Sequence, residues 1–186
     1  MMIDWEKGLI CFSGGDEFIQ KCIRFFTSSR FSHTFVTVDC LDNYLYAFET
    51  TSTIVCLSPV HRKMAEKNYI EAFRIKDNRK REIFNTNVLP AVNVYAGTWY
   101  GYLSYFWFIY RFLMRKIGVE PTKMWKWCNS GVTCTELHMI AFFATFPELI
   151  IPGRDINTFA PQELYDIIKK HPEEFELIGE YVYAKN

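Results

Sequence analysis

Cys134, His33 and Glu49 are the three side chains whose types could form a nucleophilic triad. Cys134 follows the polar segment N-S-G-V-T and precedes the apolar run L-H-M-I-A-F-F. This change of pattern predicts that Cys134 lies in the first turn of a buried helix. The free N–H groups and the helix dipole at that position favour an anion, so they lower the pKa of a thiol. Most free cysteines are small buried apolar residues, so the position alone leaves open whether Cys134 is a nucleophile or a packing residue.

A thiol nucleophile needs a base, and the base needs a third group that fixes its tautomer and supports its charge. His33 lies in the predicted strand 31–38, and Glu49 lies in the predicted strand 44–50. A hairpin turn at Asp42-Asn43 would bring these two side chains close together through a bulge or a diagonal contact. The alternative for His33 is a hydrogen-bonded core histidine. Glu49 is harder to explain as a packing residue, because an unpaired buried carboxylate is costly.

The periodicity of the apolar residues predicts the strands and helices that must position this triad. Short connections join the strands between residues 31 and 75, which predicts that these strands are antiparallel neighbours. The pattern as a whole predicts one α+β domain over residues 1–186, with helices packed against an antiparallel sheet. The predicted strands are 8–13, 31–38, 44–50, 54–57, 69–75 and 175–183, and the predicted helices are 17–26, 79–95, one opened by Cys134, and 161–168.

Composition and charge exclude several classes of function. The 21 basic and 21 acidic residues balance, which argues against a nucleic-acid partner. The four histidines are scattered and no C-x-x-C pair occurs, so we predict neither a metal site nor a cofactor. The segment M-M-I-D-W-E-K-G shows no signal peptide, which predicts a cytoplasmic protein whose six cysteines are reduced.

Residues 97–114, G-T-W-Y-G-Y-L-S-Y-F-W-F-I-Y-R-F-L-M, form the most aromatic stretch of the chain. The stretch is too short and too often interrupted to cross a bilayer. Two functional interpretations are the aromatic wall of a cleft and a surface for peripheral membrane contact. The alternative is a buried helix with an aromatic face, since large aromatic side chains are mostly found in cores.

Four segments together resemble a known protein family. They are G-L-I-C-F-S, then F-I-Q-K-C-I-R-F-F-T-S-S-R-F-S-H-T-F-V, then Y-A-F-E-T, and finally C-T-E-L. In this order and at this separation they resemble the YiiX-like group of circularly permuted NlpC-type papain-fold proteins, and P-Q-E-L at residues 161–164 resembles a late segment of that group. The chain departs from the group's pattern at Thr135, which replaces the usual serine, at Gly15-Asp16, which follows the first strand, and at the additional His138. None of these departures removes a catalytic atom.

The resemblance implies that Cys134 is the nucleophile, His33 the base and Glu49 the orienting acid of a cysteine hydrolase. The group contains hydrolases of cell-wall peptides and relatives that cut or transfer acyl groups of lipids, so the implied substrate is a peptide or an acyl lipid. A cytoplasmic protein has no direct access to peptidoglycan, whereas a phage or viral protein released at lysis would have it. The alternative from another class is a catalytically silent papain-fold module that binds a lipid or a protein partner.

Overall fold

The computed structural model describes residues 3–39, 44–66 and 69–182. These residues form a six-stranded sheet, six α-helices and three short 3-10 turns. The strands are β1 (Ile10–Gly14), β2 (His33–Asp39), β3 (Leu45–Thr50), β4 (Val55–Pro59), β5 (Tyr69–Ile75) and β6 (Phe175–Val182), and the helices are α1 (Phe18–Thr27), α2 (Val60–Glu66), α3 (Asn78–Tyr95), α4 (Ser104–Lys116), α5 (Cys134–Thr145) and α6 (Pro161–Lys170). No helix in the described ranges is both long and apolar enough to cross a membrane.

The sheet is antiparallel throughout, and its strand order is β4-β3-β2-β1-β5-β6. The predicted α+β class and antiparallel sheet are therefore confirmed. One expected neighbour was wrong, because β4 and β5 are not paired: β5 lies beside β1, on the other side of the sheet centre. Helix α2, which the sequence pattern did not predict, occupies the connection between them. The turn predicted at Asp42-Asn43 lies outside the described residues.

The two faces of the sheet carry different cores because successive side chains of a strand point to opposite sides. The larger core lies under α3, α5 and α6 and includes Phe12, Val36 and Phe48. The smaller core on the other face includes Phe35 and Ala47, with Val60 of α2 packed against them. Apolar burial on both faces makes this register costly to change, since a one-residue slip would reverse every side chain.

Helix α5 begins at the predicted position, and its start is well defined. The Thr133 hydroxyl accepts a hydrogen bond from the backbone N–H of Glu136, and the Glu136 carboxylate accepts one from the backbone N–H of Thr133. This capping box stabilises the first turn and sets Cys134 as its first residue. His33 is likewise the first residue of β2. The strand and the helix therefore each present a side chain from their first residue.

Candidate active site

His33 and Glu49 are brought together by the register of β2 and β3. Val36 pairs with Phe48, and continuing this register sets Glu49 opposite Phe35. Glu49 is therefore diagonal to His33 on the same face of the sheet, which is one of the two geometries, a bulge or a diagonal contact, expected from the sequence. His33 Nε2 lies 2.7 Å from Glu49 Oε2, and both side chains are buried.

Cys134 completes the set from the N-terminus of α5. The His33 side chain, the backbone N–H of Thr34 and the Thr135 hydroxyl, which lies 4.0 Å from the sulfur, all favour the thiolate form of Cys134. Because the Nε2 atom of His33 faces Glu49, the Nδ1 atom is the ring nitrogen left for the thiol. The structure thus brings together all three residues that the sequence singled out.

The electrostatics of this trio favour a charged pair. Burial alone raises the pKa of the Cys134 thiol, but the hydrogen bond and charge of His33 outweigh burial and lower that pKa below its ordinary value. Burial alone lowers the pKa of His33, yet Cys134 and Glu49 together raise it above its ordinary value. These opposite shifts favour a thiolate beside an imidazolium.

Glu49 is held by a second cation that the sequence pattern did not reveal. The Nζ atom of Lys63, a buried residue of α2, lies 2.6 Å from Glu49 Oε1. Burial alone raises the pKa of Glu49, but His33 and then Lys63 lower it to about 2. The only sequence signal for this helix was the four-residue spacing of Val60 and Met64, which both pack on the smaller core.

Two tyrosines stand at the boundary between the thiol and solvent. The hydroxyls of Tyr100 and Tyr105 are 2.9 Å apart. Both side chains line a cavity of about 20 Å³ that contains Cys134, and both also line the main cleft of about 390 Å³ that contains His33 and Glu49. Burial raises the pKa of Tyr100, and the neighbouring Cys134 thiolate raises it further, so Tyr100 is neutral next to the sulfur. The sequence predicts a pocket-lining aromatic within residues 99–105 but does not identify it.

Backbone contacts fix Tyr100 beside the start of α5. Tyr100 forms an isolated parallel bridge with Val132, two residues before Cys134. The two segments approach so closely that a Cβ atom on Gly131 would lie 2.5 Å from the carbonyl oxygen of Trp99 and 2.8 Å from the backbone nitrogen of Gly101. Only a glycine at position 131 permits this crossing without a backbone shift.

A second, apolar groove opens from the main cleft between α1 and α4. Its volume is about 290 Å³, and it is lined by Phe18, Ile19, Cys22, Ile23, Phe26, Thr27, Tyr102, Tyr105, Phe108 and Ile109. Four of these residues, Ile19, Ile23, Tyr102 and Tyr105, also line the main cleft. The groove therefore continues the cleft rather than forming a separate site.

His138, the additional histidine of the sequence, lies behind the trio. It is buried, its Nε2 atom lies 3.3 Å from the carbonyl oxygen of Thr34, and burial lowers its pKa to about 3. His138 is therefore neutral at physiological pH and supports the backbone of β2 next to His33.

Comparison with known proteins gives a likeness of fold. The chain matches no known protein-family model, and no curated protein matches it. Among solved structures, a match is "Crystal structure of metalloprotein yiiX from Escherichia coli O157:H7, DUF1105", with 16% sequence identity, a TM-score of 0.51 and 97% of each chain covered. At this identity the likeness extends to the fold and no further, and the conclusion is that the chain has a YiiX-like α+β fold over nearly its whole length.

Proposed function

We propose that this protein is a cysteine hydrolase or acyl transferase that cleaves an amide or ester bond. The observation that carries this proposal is that Glu49 holds His33 at 2.7 Å and that His33 in turn lowers the pKa of the Cys134 thiol despite the burial that raises it. The base precedes the nucleophile along the chain, which supports a circularly permuted, NlpC-type papain arrangement. A binding module has no need of a buried carboxylate that orients a histidine next to a thiol.

The chemistry follows from these contacts. His33 holds the proton of Cys134, and the thiolate attacks the acyl carbon to form a tetrahedral intermediate. The imidazolium then gives its proton to the leaving amine or alcohol, and a thioester remains on Cys134. His33 next takes a proton from water or from an acceptor hydroxyl, which attacks the thioester and releases the product and the thiolate. Glu49 orients the imidazole and supports its charge throughout.

Two donors are suited to the oxyanion of the tetrahedral intermediate. One is the backbone N–H of Cys134, which as the first residue of α5 has no partner within the helix. The second is the hydroxyl of Tyr100, which lines the thiol cavity. A fixed donor in a water-excluded site stabilises developing charge more than water does.

The apolar groove favours an acyl chain over a cell-wall peptide as the group that Cys134 receives. A long acyl chain needs an apolar channel that begins near the thiol, and the groove begins at Ile23 and Tyr105, which also line the thiol cavity. A cell-wall peptide carries charged groups, which the lining of this groove does not match. We therefore propose an acyl lipid as the substrate class.

The yiiX protein, which shares this fold, is described as a metalloprotein. Among the described residues of this chain, no three His, Cys, Asp or Glu side chains form a group that could hold a metal ion. These side chains do not fit a resident metal, and no step of the proposed reaction is routed through one.

Thiol alkylation tests the proposed nucleophile. Iodoacetamide at about pH 6, well below the reference pKa of a free thiol, should modify Cys134 faster than the half-buried Cys22 and Cys56 of the same molecule. In His33→Ala the rate at Cys134 should fall while the rates at Cys22 and Cys56 stay the same, as measured by mass spectrometry. Equal slow labelling of all cysteines in the wild type would favour the silent binding module instead.

A series of p-nitrophenyl esters of increasing acyl length tests the substrate class. Each methylene buried in the groove contributes about 0.8 kcal/mol, so kcat/KM should rise about fourfold per methylene until the groove is filled. Ile109→Trp, which narrows the groove, should abolish this rise and leave the acetyl ester unaffected. Cys134→Ala should hydrolyse none of the esters above background. If kcat/KM of the wild type did not change with acyl length, a cell-wall peptide would be favoured as the substrate instead.

A further inference from the structure

Helix α4 has an apolar face that the fold does not use. Its inner face is buried through Ser104, Trp107, Phe108 and Arg111. Its outer face carries Phe106 and Leu113, seven residues apart and 58% and 59% exposed, and Ile117 just beyond the helix extends the same stripe. Isolated exposed apolar residues are ordinary, but a stripe along a whole helix marks a surface that contacts something.

Helix α1 continues this apolar surface. Phe18 and Phe25, also seven residues apart, are 81% and 63% exposed. The ring of Phe25 packs 5.3 Å from that of Phe112 on α4, so the two helices lie side by side. The exposed faces of α1 and α4 are therefore one surface.

Two tryptophans extend the surface beyond α4. The ring of Trp127 lies 6.3 Å from Phe106, and it stacks on Trp125 at 5.5 Å. We call the combined set the docking surface, and it consists of Phe18, Phe25, Phe106, Leu113, Ile117, Trp125 and Trp127.

Cationic side chains are interleaved with the docking surface. Residues 83–135 contain five basic residues, of which Arg111 is buried and Arg115 is paired with Glu120 and Glu163. The other three, Lys116, Lys123 and Lys126, are exposed. The Nζ atom of Lys116 lies 5.2 Å from the ring centre of Phe112, Lys126 separates the two tryptophans, and Lys21 lies between Phe18 and Phe25 on α1. Tryptophans and lysines around an apolar face are the side chains that proteins use at the boundary between an anionic membrane and water.

The docking surface adjoins the entrance of the main cleft. Ile19 and Tyr102, both exposed, line the cleft and the apolar groove and belong to the same two helical regions as the docking surface. A bilayer against this surface would therefore meet the opening through which an acyl chain enters.

We propose that the docking surface seats this protein on an anionic phospholipid bilayer, with α1 and α4 lying along the interface. The part of this proposal that concerns substrate delivery rests on the proposed function, whereas binding to the bilayer does not. A second copy of the chain fits less well, because a two-fold interface would bring together two surfaces that both carry exposed lysines.

Vesicle flotation tests the proposal with the full chain. The protein should float with phosphatidylcholine–phosphatidylserine vesicles and float less with phosphatidylcholine alone, and added salt should weaken the binding. Leu113→Ser should lower the partition coefficient by at least about tenfold, because a buried leucine is worth about 1.5–3 kcal/mol. The matched control is Leu177→Ser on the edge strand β6, where the same change at an exposed leucine should have no effect.

The charge contribution is tested by Lys116→Gln/Lys126→Gln. At about 1 kcal/mol per lysine, this double variant should bind mixed vesicles about 30-fold more weakly and bind phosphatidylcholine vesicles unchanged. Circular dichroism of all variants should match the wild type, since the substituted side chains are exposed.

Several results would overturn the proposal. They are a wild type that floats with neither vesicle, a Leu113→Ser variant that floats like the wild type, and a concentration-dependent dimer that Leu113→Ser dissociates. The failure of docking is separable from the failure of catalysis. Cys134→Ala should float like the wild type, and Leu113→Ser should still hydrolyse a soluble acetyl ester.

Discussion

At the scale of single residues, Glu49 contacts two partners, the buried cation of Lys63 and the imidazole of His33, for which we propose a catalytic role. Lys63 and His33 contact different oxygens of its carboxylate. Removing the charge of Glu49 therefore has two consequences, one for the imidazole and one for the buried lysine. A pair of substitutions separates them.

Glu49→Gln should lower the rate of ester hydrolysis at least about hundredfold, because the imidazolium loses its support. It should also destabilise the fold by about 3 kcal/mol, because the buried Lys63 loses this carboxylate. Adding Lys63→Met should restore much of the stability in urea unfolding without restoring the rate. If the double variant recovers both quantities, Glu49 is a structural acid and another group orients His33.

Tyr100 is predicted to act on the transition state rather than on substrate binding. Tyr100→Phe removes only the hydroxyl, and loss of one oxyanion donor typically costs about 100-fold or more in kcat. KM should change little, because the contact is made in the transition state. Tyr102→Phe, which alters an exposed hydroxyl of the same cleft, is the control. A rise in KM with unchanged kcat in Tyr100→Phe would assign the hydroxyl to substrate binding instead.

At the scale of elements, the N-terminus of α6 is fastened by an ion cluster around Glu163. Its carboxylate contacts Arg111 of α4 at 2.6 and 2.8 Å, Arg154 at 2.7 Å and the backbone N–H of Ala160 at 2.9 Å. Arg111 is almost completely buried and also donates to the Thr158 carbonyl at 2.8 Å. The cluster joins α4, the 156–158 turn and α6, next to Phe159 and Pro161, which line the thiol cavity.

Glu163→Gln should therefore lower the free energy of unfolding by about 3 kcal/mol, since it leaves a buried guanidinium short of its counter-charge. Glu120→Gln removes a more exposed partner of the same Arg111, and it should cost less than about 1 kcal/mol. Urea titrations measure the loss of unfolding free energy in each variant, and so compare a Glu→Gln change at the more buried Glu163 with the same change at the more exposed Glu120. Equal losses would show that burial does not set the strength of this cluster.

The elements also show how far local pattern predicts this structure. The strand 31–38 and the helix at Cys134 were predicted because their apolar periodicity and cap are local signals. Helix α2 was not, because seven residues offer too little periodicity, and Lys63 was missed with it. The position of β5 beside β1 depends on contacts between segments that are distant in the sequence, so no local pattern predicts it.

The trio of Cys134, His33 and Glu49 was predicted partly from residue types and partly from the family resemblance. A glutamate in an apolar strand has few purely structural explanations, whereas the residue types alone left Cys134 open as a packing residue and His33 open as a core histidine. Tyr100 could not be distinguished from its aromatic neighbours, because its place depends on the close crossing at Gly131. The exposed stripe on α4 lies within the 97–114 segment, but the contribution of α1 depends on packing that the sequence does not show.

At the scale of the whole molecule, the buried titratable groups set the response to acid. Burial lowers the pKa of His138 to about 3. The unfolded chain therefore binds a proton at this residue as the pH falls through about 6.5, whereas the folded chain binds it only near pH 3. Its contribution to stability is full above about pH 6.5 and is lost as the pH falls through about 3. Despite their burial, Glu49 is held at a pKa of about 2 mainly by His33, and Glu163 at about 2 mainly by Arg111. The contributions of these two are full above about pH 4.5 and are lost as the pH falls towards 2.

Glu136 opposes His138 in this range, because burial raises the pKa of Glu136 to about 7 and the folded chain therefore gains a proton that the unfolded chain takes up only near pH 4.5. The free energy of unfolding should therefore change little between about pH 6.5 and 4.5 and fall steeply below about pH 4.5. In His138→Gln the contribution of Glu136 is no longer offset, so the free energy of unfolding should rise as the pH falls from about 6.5 to 4.5. Urea titrations at a series of pH values measure both proteins, and the same profile in both would show that His138 is not neutral and enclosed in the folded protein.

Because Cys134 is enclosed, the size of an oxidant determines whether it can reach the sulfur. A thiolate of low pKa is readily oxidised by peroxide to a sulfenic acid, and a further step gives an irreversible sulfinic acid. The cavity at the sulfur holds about 20 Å³, roughly one water molecule, and the tyrosine pair stands at its border. Hydrogen peroxide fits that space as it stands, whereas a larger molecule, such as an acyl substrate, must displace the tyrosine pair to reach the sulfur. In the absence of substrate, small oxidants therefore reach the sulfur most easily, and a bound substrate should protect it from them.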